Sequence, residues 1–250
     1  MKFSTDGLVI REQIIKEQDK LVTVLTRSNG IVRAFAHGAK SIKSSKSAAT
    51  GLLTYSRFSF YSGRDRYIID DAVAQEVFIA LRKDVEKLAL AQYFCELLIN
   101  LAPEGESAEE YLRLTLNCLH FLCKGERDND RLKSLFEFRI LSMAGYMPNL
   151  ICCDSCAVYE HDEMYFLPNM GVLVCGDCIG SYKERKICTG LGVTAAMRHC
   201  VYAEFQRLFA FSLSENSLPV LSQASEEYLI NQLGKRLQTL DFYKQMRGVC

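Results

Sequence analysis

The chain has 250 residues, and its 30 lysines and arginines equal its 30 aspartates and glutamates, for a formal net charge of zero. That balance excludes a protein that coats nucleic acid over its whole surface, and 49% apolar residues exclude a chain too polar to bury a core. Eleven scattered cysteines, an odd number, argue against a disulfide framework at this size, and no run nears the roughly 18 apolar residues of a membrane span. The opening MKFSTDGLVIREQ has no apolar core behind its lysine and so is not a secretory signal. The expected setting is the cytoplasm, with reduced thiols and no membrane contact.

The neutral total hides an asymmetry. From Lys20 to Arg64 there are eight basic residues and no acidic one, while residues 81–130 carry ten acids against six bases. One basic segment in a neutral chain points to a local anionic partner.

In chain order, residues 1–78 read as strands. LVI, KLVTVLTR, GIVRAFAHG, LLTYSRFSFYSG and RYIIDDAV are β-branched or aromatic runs, several of them alternating polar and apolar. Ser28-Asn29-Gly30 is a hairpin signal whose last two residues tolerate positive φ, and SGRDR at 62–66 is a second turn. Five short strands fit a small closed barrel, of which the oligonucleotide-binding (OB) fold is the commonest of this size. Residues 39–51 form a polar Ser/Lys loop without periodicity.

The period then becomes helical, and residues 79–250 predict an all-helical domain; the fold class is α+β. A long helix runs from about residue 76 to Pro103. A second opens at SAEEYLRL with Ser107 and Glu110 in capping-box spacing, and a third covers DNDRLKSLFEFRILSMAGY. After the cysteine-rich stretch, GVTAAMRHCVYAEFQRLFAF and SQASEEYLINQLGKRLQTLDFYKQM each read as one helix.

Residues 151–180 interrupt this helical domain. Cys153-x-x-Cys156 and Cys175-x-x-Cys178, 18 residues apart, match a four-thiolate zinc site in which MYFLPNMGVLV makes the hairpin that joins two knuckles. Cys152 stands at a different spacing from Cys156 and is set aside for Cys153. One structural Zn2+ is expected. A rival reading pairs His161 and Glu163 with Cys175 and Cys178 as a zinc nucleobase deaminase. It leaves Cys153 and Cys156 unused and lacks the proline before the second pair. No other catalytic motif is present, and a non-enzyme is expected.

Three blocks of this sequence resemble the RecO family of bacterial recombination mediators. They are GLVIREQIIKEQDKLVTVLTRSNGIVRAFAHGAKSIKSS, LFEFRILSMAGYMPNLICCDSC and YLINQLGKRLQTLDFYKQM. The resemblance implies an N-terminal OB barrel, a helical domain and a zinc insertion. It also implies binding to single- and double-stranded DNA, strand annealing, and loading of RecA, with RecR, onto strands coated by single-strand-binding protein (SSB). Where the family commonly has arginines, the loop GAKSIKSSKSA has lysines, which keeps the charge and weakens bidentate phosphate contact.

From the residues themselves, an OB-type barrel with an acid-free basic segment offers a track for a phosphate backbone. The candidate DNA contacts are Arg27, Arg33, Lys40, Lys43, Lys46, Arg57, Arg64 and Arg66, with the three lysines on a flexible loop. Tyr55, Phe58 and Tyr61 are candidate stacking surfaces, of which Phe58 is the better core residue. A second reading makes the helical domain a protein-interaction adaptor. There Arg139 falls in the middle of the apolar stripe of Leu132, Leu135, Phe136, Ile140 and Met143. It is read either as half of an internal ion pair or as a pocket for the acidic C-terminal tail of SSB.

Overall fold

The computed structural model describes residues 2–15, 19–39, 46–63 and 66–248. Five strands lead: β1 (Lys2–Ile14), β2 (Lys20–Thr26), β3 (Gly30–Ala36), β4 (Thr54–Ser62) and β5 (Tyr67–Val77). They close into a barrel in the order β1-β2-β3-β5-β4. All pairs are antiparallel except β3 and β5, which meet in parallel at Ala34–Tyr67 and Phe35–Ile68. β1 serves two neighbours, β4 along Lys2–Leu8 and β2 along Gly7–Ile14, and its register slips between Val9 and Arg11. A bulge of that kind bends a strand enough to close a small barrel. Alternation then points Val22, Val24, Val32, Ala34, Phe58 and Phe60 into one core.

The described residues hold seven α-helices: α1 (Lys46–Ala49), between β3 and β4, and then α2 (Val85–Leu101), α3 (Glu109–Lys124), α4 (Asn129–Met143), α5 (Gly190–Tyr202), α6 (Leu218–Leu233) and α7 (Gln238–Met246). None of them is long and apolar enough to cross a membrane. A second sheet, in the order β6-β8-β7-β9, comprises β6 (Asn149–Cys153), β7 (Met164–Leu167), β8 (Val172–Cys175) and β9 (Ile187–Cys188). The chain divides into two compact units, Met1–Gly125 with Gln238–Cys250, and Glu126–Leu237.

Several sequence expectations change here. Helix α2 begins at Val85, not near 76, because β5 pairs with β4 as far as Val77 opposite Thr54 and a 3-10 turn fills Ile79–Lys83. Asp84 caps α2 by accepting from the Lys87 amide. Ser107 does not cap α3; its hydroxyl donates to the Arg27 carbonyl. That contact belongs to a seam on the β2–β3 turn, with Ile31 N on Pro103 O at 2.8 Å and Ala108 N on Arg27 O at 3.0 Å. Gly30 is required there: its φ is +63°, and a Cβ would stand 2.0 Å from the Pro103 carbonyl oxygen. Asn29 keeps negative φ, contrary to the expected pair of left-handed residues. The penultimate predicted helix stops at Tyr202, and the last one breaks at left-handed Gly234 into α6 and α7.

In the second unit α4 packs against both α5 and α6. It is therefore buried nearly all round rather than along one stripe, and it carries buried Lys133 and Glu137 with it. Lys133 Nζ lies 3.0 Å from Glu137 and 3.0 Å from Glu226 of α6. Burial works against this ammonium, but the two carboxylates outweigh it and hold Lys133 above the usual lysine value.

Candidate metal centre and nucleic-acid interface

The β7–β8 hairpin aligns Met164 with Cys175 and Leu167 with Val172, which sets the second knuckle at its end. Its turn closes at Gly171, where φ is +70° and a Cβ would meet the Tyr228 ring at 2.8 Å. The first knuckle turns through Ala157, a non-glycine at φ +60°, with Cys153 N bonded to Val158 O and Ala157 N to Cys153 O. Parallel pairing of Cys153 with Leu173 brings β6 beside β8.

The four sulfurs of Cys153, Cys156, Cys175 and Cys178 consequently lie within 4.8 Å of one another, with Cys156 and Cys175 at 3.6 Å, and none is in a disulfide. A tetrahedral ion with metal–sulfur bonds of about 2.3 Å would space its sulfurs about 3.8 Å apart. The donor set fits such an ion. Burial opposes ionisation of Cys153, but amide donors at Cys156, Cys175 and Ser155 outweigh it and bring its thiol to about 6. Hydrogen bonds to Cys175 and Cys156 push Cys178 up to about 12. One thiolate is thus ready, while Cys175 and Cys178 resist adding charge beside it, which a cation at the centre would reverse. His161 is outside the cluster: its Nδ1 bonds the Glu163 backbone and its Nε2 is 3.5 Å from Asp177. With four cysteines converging, the deaminase donor set of one histidine and two cysteines is not assembled.

The basic residues do not converge in the same way. Arg27 and Arg57 stand at the β2–β3 turn end of the barrel, both against Asp6, at 3.9 and 3.0 Å. Arg27 also reaches Glu109 at 3.9 Å, and Arg33 pairs with Glu104 at 2.8 Å. Acids from outside the acid-free segment therefore neutralise these three. Lys46 is not on a flexible loop: it opens α1, and its ammonium donates to the Ile69 carbonyl of β5 at 3.2 Å. Lys40, Lys43 and Arg64 lie outside the described residues.

Arg66 stands at the opposite barrel end, where β3 stops and β5 begins. Its guanidinium lies 5.9 Å from the centroid of Phe35, which stacks on His37 at 6.3 Å. Exposed Tyr67 and Tyr61 flank this end. Of the expected aromatics, Tyr61 is exposed, Phe58 is fully buried and Tyr55 is half-buried beside Asp6 and Arg27. Burial, reinforced by Asp6, pushes the Tyr55 hydroxyl up. Phe35 and Tyr67 are additional to the expected aromatics. The signal was available: alternation turns Arg33, Phe35 and His37 outward between buried Val32, Ala34 and Ala36.

Among the described residues Arg139 forms no ion pair. Its Nη1 donates to the Val201 carbonyl at 2.7 Å, in the last turn of α5, and its Nε has no partner among the described residues. A cation at a helix C-terminus answers both the unpaired carbonyl and the negative end of the dipole. The internal ion pair of α4 is instead Lys133 with Glu137, legible in the sequence as a Lys/Glu pair four residues apart.

The family described as "Recombination protein O N terminal" matches residues 1–78, and that described as "Recombination protein O C terminal" matches residues 82–241. The chain is 32% identical over 242 residues to the DNA repair protein RecO of Acetivibrio thermocellus, covering 97% of this chain and 96% of that protein. It is 31% identical over 249 residues to the protein of the same name from Symbiobacterium thermophilum, covering 98% of each. The two family models match in order and together span most of the chain, and the chain belongs to the RecO family.

Proposed function

We propose that this protein is a non-enzymatic, cytoplasmic recombination mediator that binds single- and double-stranded DNA through its barrel and anneals complementary strands. In the same reading it works with RecR to help RecA load onto SSB-coated DNA. The observation that carries the DNA reading is the barrel end bearing Arg66 over Phe35 with Tyr61 and Tyr67 alongside. Aromatic faces accept bases of any sequence, and the cation meets the backbone. The cysteine cluster holds one structural zinc in this reading. Four thiolates fill the metal's positions, leave none for water, and contribute folding energy rather than chemistry.

The test is titration of unrelated oligonucleotides, single- and double-stranded, at several salt concentrations, with annealing and zinc content measured on the same protein. The expected result is sequence-independent binding whose log affinity falls linearly with log salt. Absence of binding to either form at low salt would overturn the reading. SSB-tail binding receives no support from Arg139, whose guanidinium is engaged by Val201.

A further inference from the structure

The two cysteine knuckles are held by different means. The second is fixed by the hairpin ladder, with Cys175 opposite Met164 and Gly176 N on Glu163 O at 2.8 Å. The first hangs from β6, whose pairing with β8 registers at Asn149 and Cys153 and lapses in between. The carbonyl of buried Leu150 in that lapse needs another partner.

Arg198 of α5 supplies it. Its Nε donates to Leu150 O at 2.7 Å, and its Nη2 donates to Ile151 O at 3.0 Å and to Tyr159 O at 2.6 Å. The guanidinium also lies 4.0 Å from the Tyr159 ring centroid. Leu150 and Ile151 precede the knuckle and Tyr159 follows it, so one planar group ties the entry of the loop to its exit. Tyr202, one turn further along α5, accepts from Leu150 N at 2.9 Å and donates to Pro148 O at 3.1 Å, gripping the entry alone.

We infer that Arg198 is the positioning residue of the metal centre, presenting Cys153 and Cys156 to the ion shared with Cys175 and Cys178. The inference rests on the zinc reading above. A guanidinium suits the task because its fork reaches several acceptors at fixed angles, where an ammonium is a single point.

The experiment uses the full-length, zinc-loaded protein and the variants Arg198→Ala, Arg198→Lys and Tyr159→Leu. Two quantities are read: zinc lost to a competing chelator, and the order in which each cysteine is alkylated, followed by mass spectrometry. Arg198→Ala should weaken zinc binding by about ten- to a hundredfold, the usual effect of losing a partner that orients metal ligands. Alkylation should then reach Cys153 and Cys156 before Cys175 and Cys178. Arg198→Lys should fall in between, and Tyr159→Leu, which keeps the carbonyl, should stay within about threefold of wild type. Wild-type zinc retention in Arg198→Ala would overturn the inference, as would loss of protection at all four cysteines together. If Arg198→Ala does not fold, Arg198→Lys carries the same two readouts. A wild-type protein without zinc would overturn the zinc reading instead, and metal analysis of the wild type alone reveals that case.

Discussion

The cysteine cluster and the basic segment are both conspicuous in the sequence, yet they fare oppositely in three dimensions. The four cysteines come together as their spacing demands, within 4.8 Å. Arg27, Arg33 and Arg57 of the acid-free run are met by Asp6, Glu104 and Glu109, from segments before and after it. The difference is one of range. A knuckle is made by the two residues between its cysteines and a hairpin by the residues between its strands, so local spacing determines the geometry. The net charge of a surface depends on whatever the fold brings alongside, and that is not a local property. A run of like charge therefore predicts a charged surface only when the neighbouring strands are known.

The largest effects should come from the cysteines. Cys153→Ser or Cys178→Ser should abolish zinc retention and lower the melting temperature or cause aggregation, because binding of a structural metal is itself folding energy. Cys152→Ser should retain the metal, since Cys152 is not in the cluster. Metal analysis and thermal melting of the three variants check this. Acid should release zinc from the wild type as well. Binding needs thiolates, and protons compete for them as pH falls, reaching Cys153, held at about 6, after the raised thiols of Cys175 and Cys178. Zinc affinity that does not fall between pH 8 and about 5.5, below that value, would break the thiolate assignment.

Buried charge sharpens the comparison next. Lys133→Ala leaves Glu137 and Glu226 without their ammonium, and removing one member of a buried ion cluster costs about 3–5 kcal/mol. Arg57→Ala removes an exposed partner of Asp6 and should cost about 0–1 kcal/mol. Denaturant unfolding of both variants measures the gap. The pH dependence has a definite sign. A lysine whose folded pKa is raised stabilises fully below its unfolded value, about 10.4, and less as pH climbs through the folded value. The penalty of Lys133→Ala should therefore be constant through neutral pH and shrink only in strong alkali.

Much of the fold was legible, and the errors share a cause. Strand alternation located all five barrel strands, and the hairpin between the knuckles follows from Pro168 to Gly171 and the apolar runs around it. The sequence pattern starts α2 too early because Val77, Phe78 and Ile79, a continuous apolar run, fit a helix and a strand alike. What decided the matter was pairing with β4, a contact that leaves no trace in that segment. For Arg139, the apolar stripe of α4 suggests a one-sided helix. Packing by α5 and α6 on two sides is a tertiary fact that turned its stripe into a whole circumference. The staple of Arg198 is not legible at all, since its acceptors are backbone carbonyls 39 to 48 residues away in sequence.

The smallest expected effect decides between the two ends of the barrel. At the β2–β3 turn, Asp6 neutralises Arg27 and Arg57, so a phosphate would have to displace an ion pair to bind there. At the other end Arg66 faces an aromatic ring, and binding a base or phosphate breaks no ion pair of its own among the described residues. Asp6→Asn should therefore leave DNA affinity within about twofold and the salt slope unchanged. Arg66→Ala should flatten that slope by about 0.7 to 0.9, one phosphate contact, and Phe35→Ala should weaken single-strand binding by about 1–3 kcal/mol, one stacked base. Fluorescence anisotropy at four or more salt concentrations resolves changes of that size. A steeper slope in Asp6→Asn would mean that freeing Arg27 and Arg57 creates or exposes phosphate contacts. The basic run would then track DNA at the turn end after all, with Asp6 as the charge that restrains it.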